Sequence, residues 1–215
     1  MPSENDLKFP IHPTKRTFDV IFSGTILILL APVIFLFFVI IALEQTIRLR
    51  PFDPLLYSEI RMSQGRCFRL YKFNIFKHAI ISDMRRRNEF IYTKQLERAG
   101  SLLFIGKILK QVYLDELPQF FNILKGDMSV VGPRPVNTEV HKLLQAQGST
   151  YKDMVRAGLT GYYQQQHKYN RCTSQNEADK EYVEYYFTNP WYKILYFDIM
   201  ILLRTIKVVL LAKGI

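Results

Sequence analysis

The feature that most constrains this chain is residues 20–43, VIFSGTILILLAPVIFLFFVIIAL, in which no residue carries a formal charge. The run exceeds the roughly 20 residues that take a helix across the hydrocarbon core of a bilayer. It predicts a membrane-inserted helix and argues against an ordinary soluble enzyme. Lys15 and Arg16 precede it, as in a secretory signal, but the run is too long for a signal's apolar region and no small-residue cleavage site follows. The segment therefore reads as retained. A buried core helix is the competing reading, disfavoured because such helices seldom stay uncharged for so long.

Pro32 sits at the middle of the run, where it removes one backbone hydrogen bond, frees the carbonyl of Ile28 and favours a kink. Cations flank both ends: Lys8, Lys15 and Arg16 before, Arg48, Arg50 and Arg61 after. Both flanks thus look cytoplasmic, and the positive-inside rule assigns no orientation. A helix that enters, bends at Pro32 and returns to the same face satisfies both observations. A kinked spanning helix satisfies the first, since prolines are tolerated in such helices.

Outside this run the chain is polar and basic, with 29 Lys and Arg against 19 Asp and Glu, a net charge of +10. With 48% hydrophobic residues, wholesale disorder is excluded. Cys67 and Cys172 make neither a disulfide framework nor a CxxC pair, which fits a reducing compartment. Residues 55–76 carry Gln64-Gly65 between two apolar-rich runs and predict a short β-hairpin. Residues 82–100, with Arg85, Arg86 and Arg87, read as a solvated helix or loop. From residue 191 to 211 the chain is apolar again, and helical periodicity puts Lys193, Arg204 and Lys207 in one sector. That pattern suits a helix lying in the membrane interface, or equally one packed on the protein's own core. Tyr182, Tyr185, Tyr186 and Phe187 are candidates for headgroup depth, and anionic lipid and phosphate are candidate partners for the basic excess.

The most informative stretch for chemistry is YLDELPQFFNILKGDMSVVGPRP, residues 113–135. Asp115 reads as a helix N-cap, with Pro118 in the first turn, and Leu117, Phe120, Phe121 and Leu124 recur at helical spacing up to a stop at Gly126. Asp115 and Glu116 would then stand at a helix N-terminus. They would either simply cap it or hold Mg²⁺ and, through it, a diphosphate. Gly132-Pro133-Arg134-Pro135 is stiff, since each proline fixes its own φ and restrains its predecessor. It is either only a surface loop or a mount that presents Arg134 for a two-pronged grip on phosphate. His12, His78, His141 and His167 show no zinc spacing, and no GxSxG, Walker or GxGxxG motif is present.

In order along the chain stand KRTFD (residues 15–19), the proline-broken apolar run, LYKF (70–73), LDELPQ (114–119), LKGDMSVVGPRP (124–135), RAGLTG (156–161) and ILLRTIKVVL (201–210). With these motifs the chain resembles the bacterial polyprenyl-phosphate phosphoglycosyl transferases, monotopic sugar-phosphate transferases that begin surface-glycan assembly. The resemblance runs from about Lys15 to Leu211. It implies an α+β, mostly helical fold: a re-entrant N-terminal membrane helix hairpin, a small catalytic core with a short β-hairpin, and interfacial amphipathic helices. The implied division is a tail (1–14), a re-entrant helix and junction (15–50) and a catalytic domain on the cytoplasmic face of the bacterial inner membrane (51–215).

The resemblance further implies a UDP-sugar donor and a polyprenyl phosphate acceptor, with undecaprenyl phosphate the expected form. Asp115 would be the nucleophile, forming a phosphosugar-aspartate with release of UMP. Glu116 would join Asp115 on Mg²⁺, and Lys72, Lys110, Arg134 and Gln119 would bind phosphate or nucleotide. Membrane lipid is an implied partner, a homo-oligomer is admitted, and no nucleic acid is expected. The chain departs from the family pattern at Ala31 (often Ser), Asn74 (Arg), Lys110 (Arg, losing the guanidinium fork), Ala157 (Pro) and Tyr162 (Trp). These departures bear on donor preference and leave the sugar unspecified. A non-catalytic membrane adaptor with the same fold is the competing class, opposed by intact Asp115, Glu116 and Arg134. A tethered nucleic-acid binder would rest on net charge alone.

Overall fold

A computed structural model describes residues 11–47, 56–75, 106, 109–110, 113–163 and 174–210. The charged stretch 82–100, with His78, His167 and Cys172, lies outside the described residues. The chain is mostly helical, with an apolar N-terminal helix and small two-stranded sheets.

The uncharged run lies within α1, Pro13–Ile47, a helix of 35 residues with Pro32 inside it. At 1.5 Å per residue it is about 52 Å long, more than a 30 Å hydrocarbon core requires. The surplus is explained at its N-terminal end, where Lys15, Asp19 and Ser23 are buried at 6%, 0% and 0% exposure. The first turns of α1 are thus part of the protein core. Further along, Ile28, Leu29, Phe35 and Leu36 are exposed, and residues Pro13–Ile40 form a helix long and apolar enough to cross a membrane by length and composition.

Two strands follow, β1 (Leu56–Ser63) and β2 (Arg66–Phe73), paired antiparallel with Ser63 opposite Arg66. Between them Gln64 (φ 49°) and Gly65 (φ 70°) both take left-handed backbone, as a two-residue turn matched to strand twist requires. The hairpin expected from Gln64-Gly65 is therefore present. After a single 3-10 turn, Leu114–Glu116, comes α2, Gln119–Lys125, which stops at Gly126 in left-handed geometry (φ 88°) as expected.

The N-cap expectation for Asp115 is corrected: the capping position of α2 is Pro118, and Asp115 lies within the preceding 3-10 turn. Pro118, lacking an N–H, takes a place where that donor would go unpaired anyway. A second sheet, not anticipated, pairs β3 (Ser129–Val131) in parallel with β4 (Gly158–Thr160). Between them lie α3 (Thr138–Ala146) and the short α4 (Tyr151–Met154). The chain finishes with α5 (Gln175–Thr188) and α6 (Trp191–Leu210).

The core gathers Phe68, Leu70 and Phe73 from the hairpin, Ile123 from α2, Val130 and Val131 from β3, and Ile201 from α6. Residues of α1 on both sides of Pro32 pack against it: Phe22 tilts onto Phe120 with ring centroids 6.3 Å apart, and Phe38 meets Phe73 edge-on at 5.2 Å. On α6, buried Ile194, Asp198 and Ile201 recur on one face, while Tyr196, Ile199, Leu203 and Ile206 are exposed on the opposite one. Exposed Lys193, Arg204 and Lys207 share the sector beside it. The last helix therefore packs on the core and still presents a second apolar face.

Polar groups lock α1 into this body. Lys15 forms a buried ion pair with Asp198 of α6 and donates to the carbonyl oxygen of Val131 at 3.1 Å. Asp19 accepts from the Ser129 hydroxyl at 3.0 Å and the Val130 N–H at 2.9 Å. Arg16 donates to the carbonyl oxygens of Ile123 and Leu124, where a cation also offsets the negative end of α2. Tyr182, expected at headgroup depth, is corrected to the core. It is 2% exposed, with its hydroxyl donating to Asp198 at 2.9 Å.

Candidate active site

Asp115 and Glu116 occupy the 3-10 turn between a strained residue and a proline. Tyr113 holds φ 58°, a left-handed conformation that costs a bulky side chain of order 1–3 kcal/mol. Together with Pro118 it fixes the direction in which the acidic pair leaves the backbone. Asp115 is 7% exposed.

Lys72 reaches the pair from β2 and Arg134 from the loop after β3. Each nitrogen lies 3.3 Å from the same Glu116 oxygen, Oε1. Lys72 is thus part of the charged cluster rather than of the open surface. The register that places it is held by Asn122 of α2, which is 0% exposed. Its amide accepts from the Tyr71 N–H at 3.1 Å and donates to the Arg69 carbonyl at 2.7 Å. A helix following the acidic pair and a strand carrying its cation are thereby tied together.

The two carboxyls are pushed apart in acidity. Burial raises Asp115 to about 6, the adjacent Glu116 charge adds to that, and Lys72 and Lys110 oppose it. Burial also pushes Glu116 up, but the charges of Lys72 and then Arg134 outweigh it and hold this carboxyl below its ordinary value. Glu116 is therefore the stable anion of the cluster. Asp115 is the more basic carboxylate and still mostly ionised at neutral pH.

The structure brings Asp115, Glu116, Lys72 and Arg134 together, with Lys110 close enough for its charge to act on Asp115. Gln119 opens α2 and is 3% exposed, within the core. Pro32 lies inside α1 and touches none of this cluster through a hydrogen bond or ion pair. Sequence reasoning passed over Asn122, whose signal was an amide set among the apolar residues of α2. It also passed over Lys152 of α4 and Asp179 of α5, a buried pair at 2.7 Å.

No group of three or more His, Cys, Asp or Glu side chains with metal-holding geometry occurs among the described residues. A dedicated cage is not needed for Mg²⁺, which keeps several waters and takes one or two carboxylates plus substrate phosphates. Burial first, and the adjacent Glu116 charge second, disfavour the Asp115 anion, and a divalent ion beside it would favour that anion. The donor set fits that mode of binding.

A family model described as bacterial sugar transferase matches residues 11–212. Undecaprenyl-phosphate galactose phosphotransferase of Salmonella typhimurium is 32% identical over 214 residues, covering 93% of this chain and 41% of that protein. UDP-N-acetylgalactosamine-undecaprenyl-phosphate N-acetylgalactosaminephosphotransferase of Aeromonas hydrophila is 30% identical over 214 residues, 97% of this chain and 46% of its own length. The chain spans less than half of both. Exopolysaccharide production protein ExoY of Rhizobium meliloti is 31% identical over 225 residues, covering 100% of this chain and 93% of that protein.

Proposed function

Because the chain belongs to the bacterial sugar transferase family, we propose that it transfers a sugar-1-phosphate from a UDP-sugar to polyprenyl phosphate, the first membrane step of a surface glycan. The observation that carries this reading is the convergence of Lys72 and Arg134 on Glu116 beside a buried, more basic Asp115. The names of two relatives, an undecaprenyl-phosphate galactose phosphotransferase and its N-acetylgalactosamine counterpart, support the acceptor class and a UDP donor.

The Asp115 carboxylate attacks the sugar-bearing phosphorus of the donor. An oxygen–phosphorus bond forms, the bond to the bridging oxygen breaks, and its electron pair leaves with UMP. An oxygen of polyprenyl phosphate then attacks the same phosphorus, the aspartyl oxygen leaves, and the diphosphate-linked sugar is released. Lys72, Lys110 and Arg134 meet the donor's phosphates, and Glu116 orients Lys72 and Arg134 until they do. Mg²⁺ held by Asp115 and Glu116 would supply charge neutralisation, the main requirement of phosphoryl transfer.

The membrane reading is re-entry on the cytoplasmic face, with residues 15–50 as the membrane helix and junction and 51–215 as the catalytic domain. Two contacts support it. Phe22 and Phe38 flank Pro32, yet both pack on the catalytic core, Phe38 against the neighbour in sequence of Lys72. A helix leaving on the far side would carry Phe38, and with it the charged cluster, away from the cytosol. The second apolar face of α6, with Lys193, Arg204 and Lys207 alongside, suits a helix lying at the headgroups.

The test is UMP release by purified protein with polyprenyl phosphate, Mg²⁺ and, in turn, UDP-galactose, UDP-N-acetylgalactosamine and UDP-glucose. At least one donor is expected to turn over and to leave a phosphosugar adduct on Asp115. Asp115→Asn abolishes both. An adduct on another residue removes Asp115 from this role, and no UMP from any UDP-sugar removes the activity. Cysteines introduced near residues 5 and 50 are both expected to resist periplasmic reagents; labelling of one would replace re-entry with a spanning helix.

A further inference from the structure

We infer that Lys152, with Asp179 as its counter-ion, is a positioning residue that sets the approach of Arg134 to the acidic pair. The inference rests on the activity proposed above, but its first test does not.

Two of the four residues of Gly132-Pro133-Arg134-Pro135 have no N–H to donate, so the loop depends on groups outside itself. Gly132 donates to the Thr160 carbonyl at 2.9 Å, the Pro133 carbonyl accepts from Gly158 at 2.9 Å, and the Val136 carbonyl accepts from Met62 at 2.8 Å. These are main-chain bonds that brace the loop before and after Arg134. At Arg134 itself the carbonyl accepts from the Lys152 ammonium at 3.0 Å. That ammonium is paired at 2.7 Å with Asp179, and the two side chains are 8% and 1% exposed. The connection runs from α5 through α4 to the loop, then through the Arg134 guanidinium to Glu116 at 3.3 Å.

A buried ion pair is weak evidence for stability as such, because apolar replacements of similar volume are often neutral or better. An apolar pair lacks the ability to donate to the Arg134 carbonyl. A charge-assisted hydrogen bond there is roughly twice as strong as a neutral one, and it acts on the residue whose side chain must reach the site. Aligning that side chain is the role assigned to Lys152.

The first measurement is hydrogen exchange on the resting full-length protein, without substrate, at the amides of Gly132, Gly158 and Met62, whose bonds brace the loop. Lys152→Met/Asp179→Leu, which leaves no unpaired buried charge, is expected to speed their exchange about tenfold or more while α5 keeps its protection. Unchanged protection of the loop overturns the inference even if the protein proves to be no transferase.

The second measurement is a double-mutant cycle on UMP release with Arg134→Ala. The Lys152/Asp179 variant is expected to lower kcat/KM by roughly 10- to 100-fold, the range for losing a hydrogen bond to a charged group. The loss falls mainly on kcat, and it shrinks to less than about twofold in the Arg134→Ala background because the target is gone. Lys152→Arg, which keeps a cationic donor, is expected to stay within about threefold of wild type. Equal losses in both backgrounds would make the pair merely structural. Should the double replacement not fold, Asp179→Asn carries the same cycle, with a smaller loss expected and the same disappearance without Arg134.

Discussion

Among the described glycines, Gly158 leaves the least room for a side chain, so Gly158→Ala carries a heavy cost. A methyl on Gly158 would stand 2.1 Å from the Gly132 nitrogen, 2.4 Å from the Thr160 oxygen and 2.6 Å from the Gly132 oxygen. All three are backbone atoms, so no side chain can swing aside. β3 and β4 must separate where the loop bearing Arg134 begins. That sacrifices the Gly132–Thr160 and Gly158–Pro133 hydrogen bonds, each 2.9 Å long, at about 1 kcal/mol apiece. Overpacking adds about 1–3 kcal/mol, for a total of about 3–5 kcal/mol. For a chain of this size that lowers the melting temperature by roughly 6–20 °C. Thermal melts in matched nanodiscs measure the shift, and UMP release from the surviving folded fraction shows whether Arg134 has moved. Gly24→Ala is the control, because nothing lies within 4 Å of the methyl it would add. A Gly158→Ala protein melting within about 2 °C of wild type and turning over normally would refute the account of how this loop is held.

Burial raises Asp115 to about 6, so kcat/KM for the donor is expected to fall about tenfold per pH unit below that value, and added Mg²⁺ to move the limb to lower pH. A rate flat down to pH 5 at low Mg²⁺ would oppose Asp115 as the ionised nucleophile. The sign for stability is opposite: the folded state holds this proton more tightly than the unfolded one. The stabilising effect of protonation is thus lost as pH rises from the ordinary carboxylate value through about 6. Asp115→Asn in metal-free protein is therefore expected to gain stability relative to wild type at pH 8 but not at pH 4, as paired melts would show. Lys15→Met leaves Asp198 charged and buried without its partner and is expected to cost about 3–5 kcal/mol. A melt unchanged from wild type would mean that the foot of α1 is not part of the cooperative core. Asn122→Leu removes the amide joining α2 to β2 and should lower turnover more than binding of the soluble UMP product. Equal losses in kcat and UMP affinity would count against a role in placing Lys72.

The elements legible in the sequence were those whose signal is local. Gln64-Gly65 declares a turn because two adjacent residues must adopt positive φ, and Gly126 declares a helix end for the same reason. The acidic pair, the lysine of β2 and the arginine between prolines were each visible as candidates. Their convergence was not, since it depends on Asn122 and on strand register. The N-cap assignment of Asp115 failed because Tyr113 takes a left-handed turn that no short-range pattern requires, tightening the next residues into a 3-10 turn before Pro118. The β3–β4 pair escaped notice because three-residue strands are too short to show a period of two, and parallel partners lie far apart in sequence. Tyr182 looked interfacial by its aromatic neighbours, and only the buried Asp198 across the helix pair explains why its hydroxyl points inward.

The same long-range pairing bears on how the membrane segment and the catalytic body relate. A helix that merely tethers an enzyme needs no polar contact with it, and its cations would stay at the headgroups. Here Lys15 reaches Asp198 on the last helix and the carbonyl of Val131, while Asp19 caps Ser129 and Val130 on β3. The loop bearing Arg134 follows β3 directly, so the foot of α1 and the arginine that meets Glu116 are separated by one short strand. α6, whose opposite face is exposed and apolar, closes the pair from the other side. The seating of α1 and the placement of the charged cluster thus share the same few buried bonds. A shift of α1 along its axis by one turn, about 5.4 Å, would withdraw Lys15 and Asp19 from their partners and Phe22 and Phe38 from theirs. Charged groups that would otherwise resist burial are what seat the foot of α1 against β3 and α6.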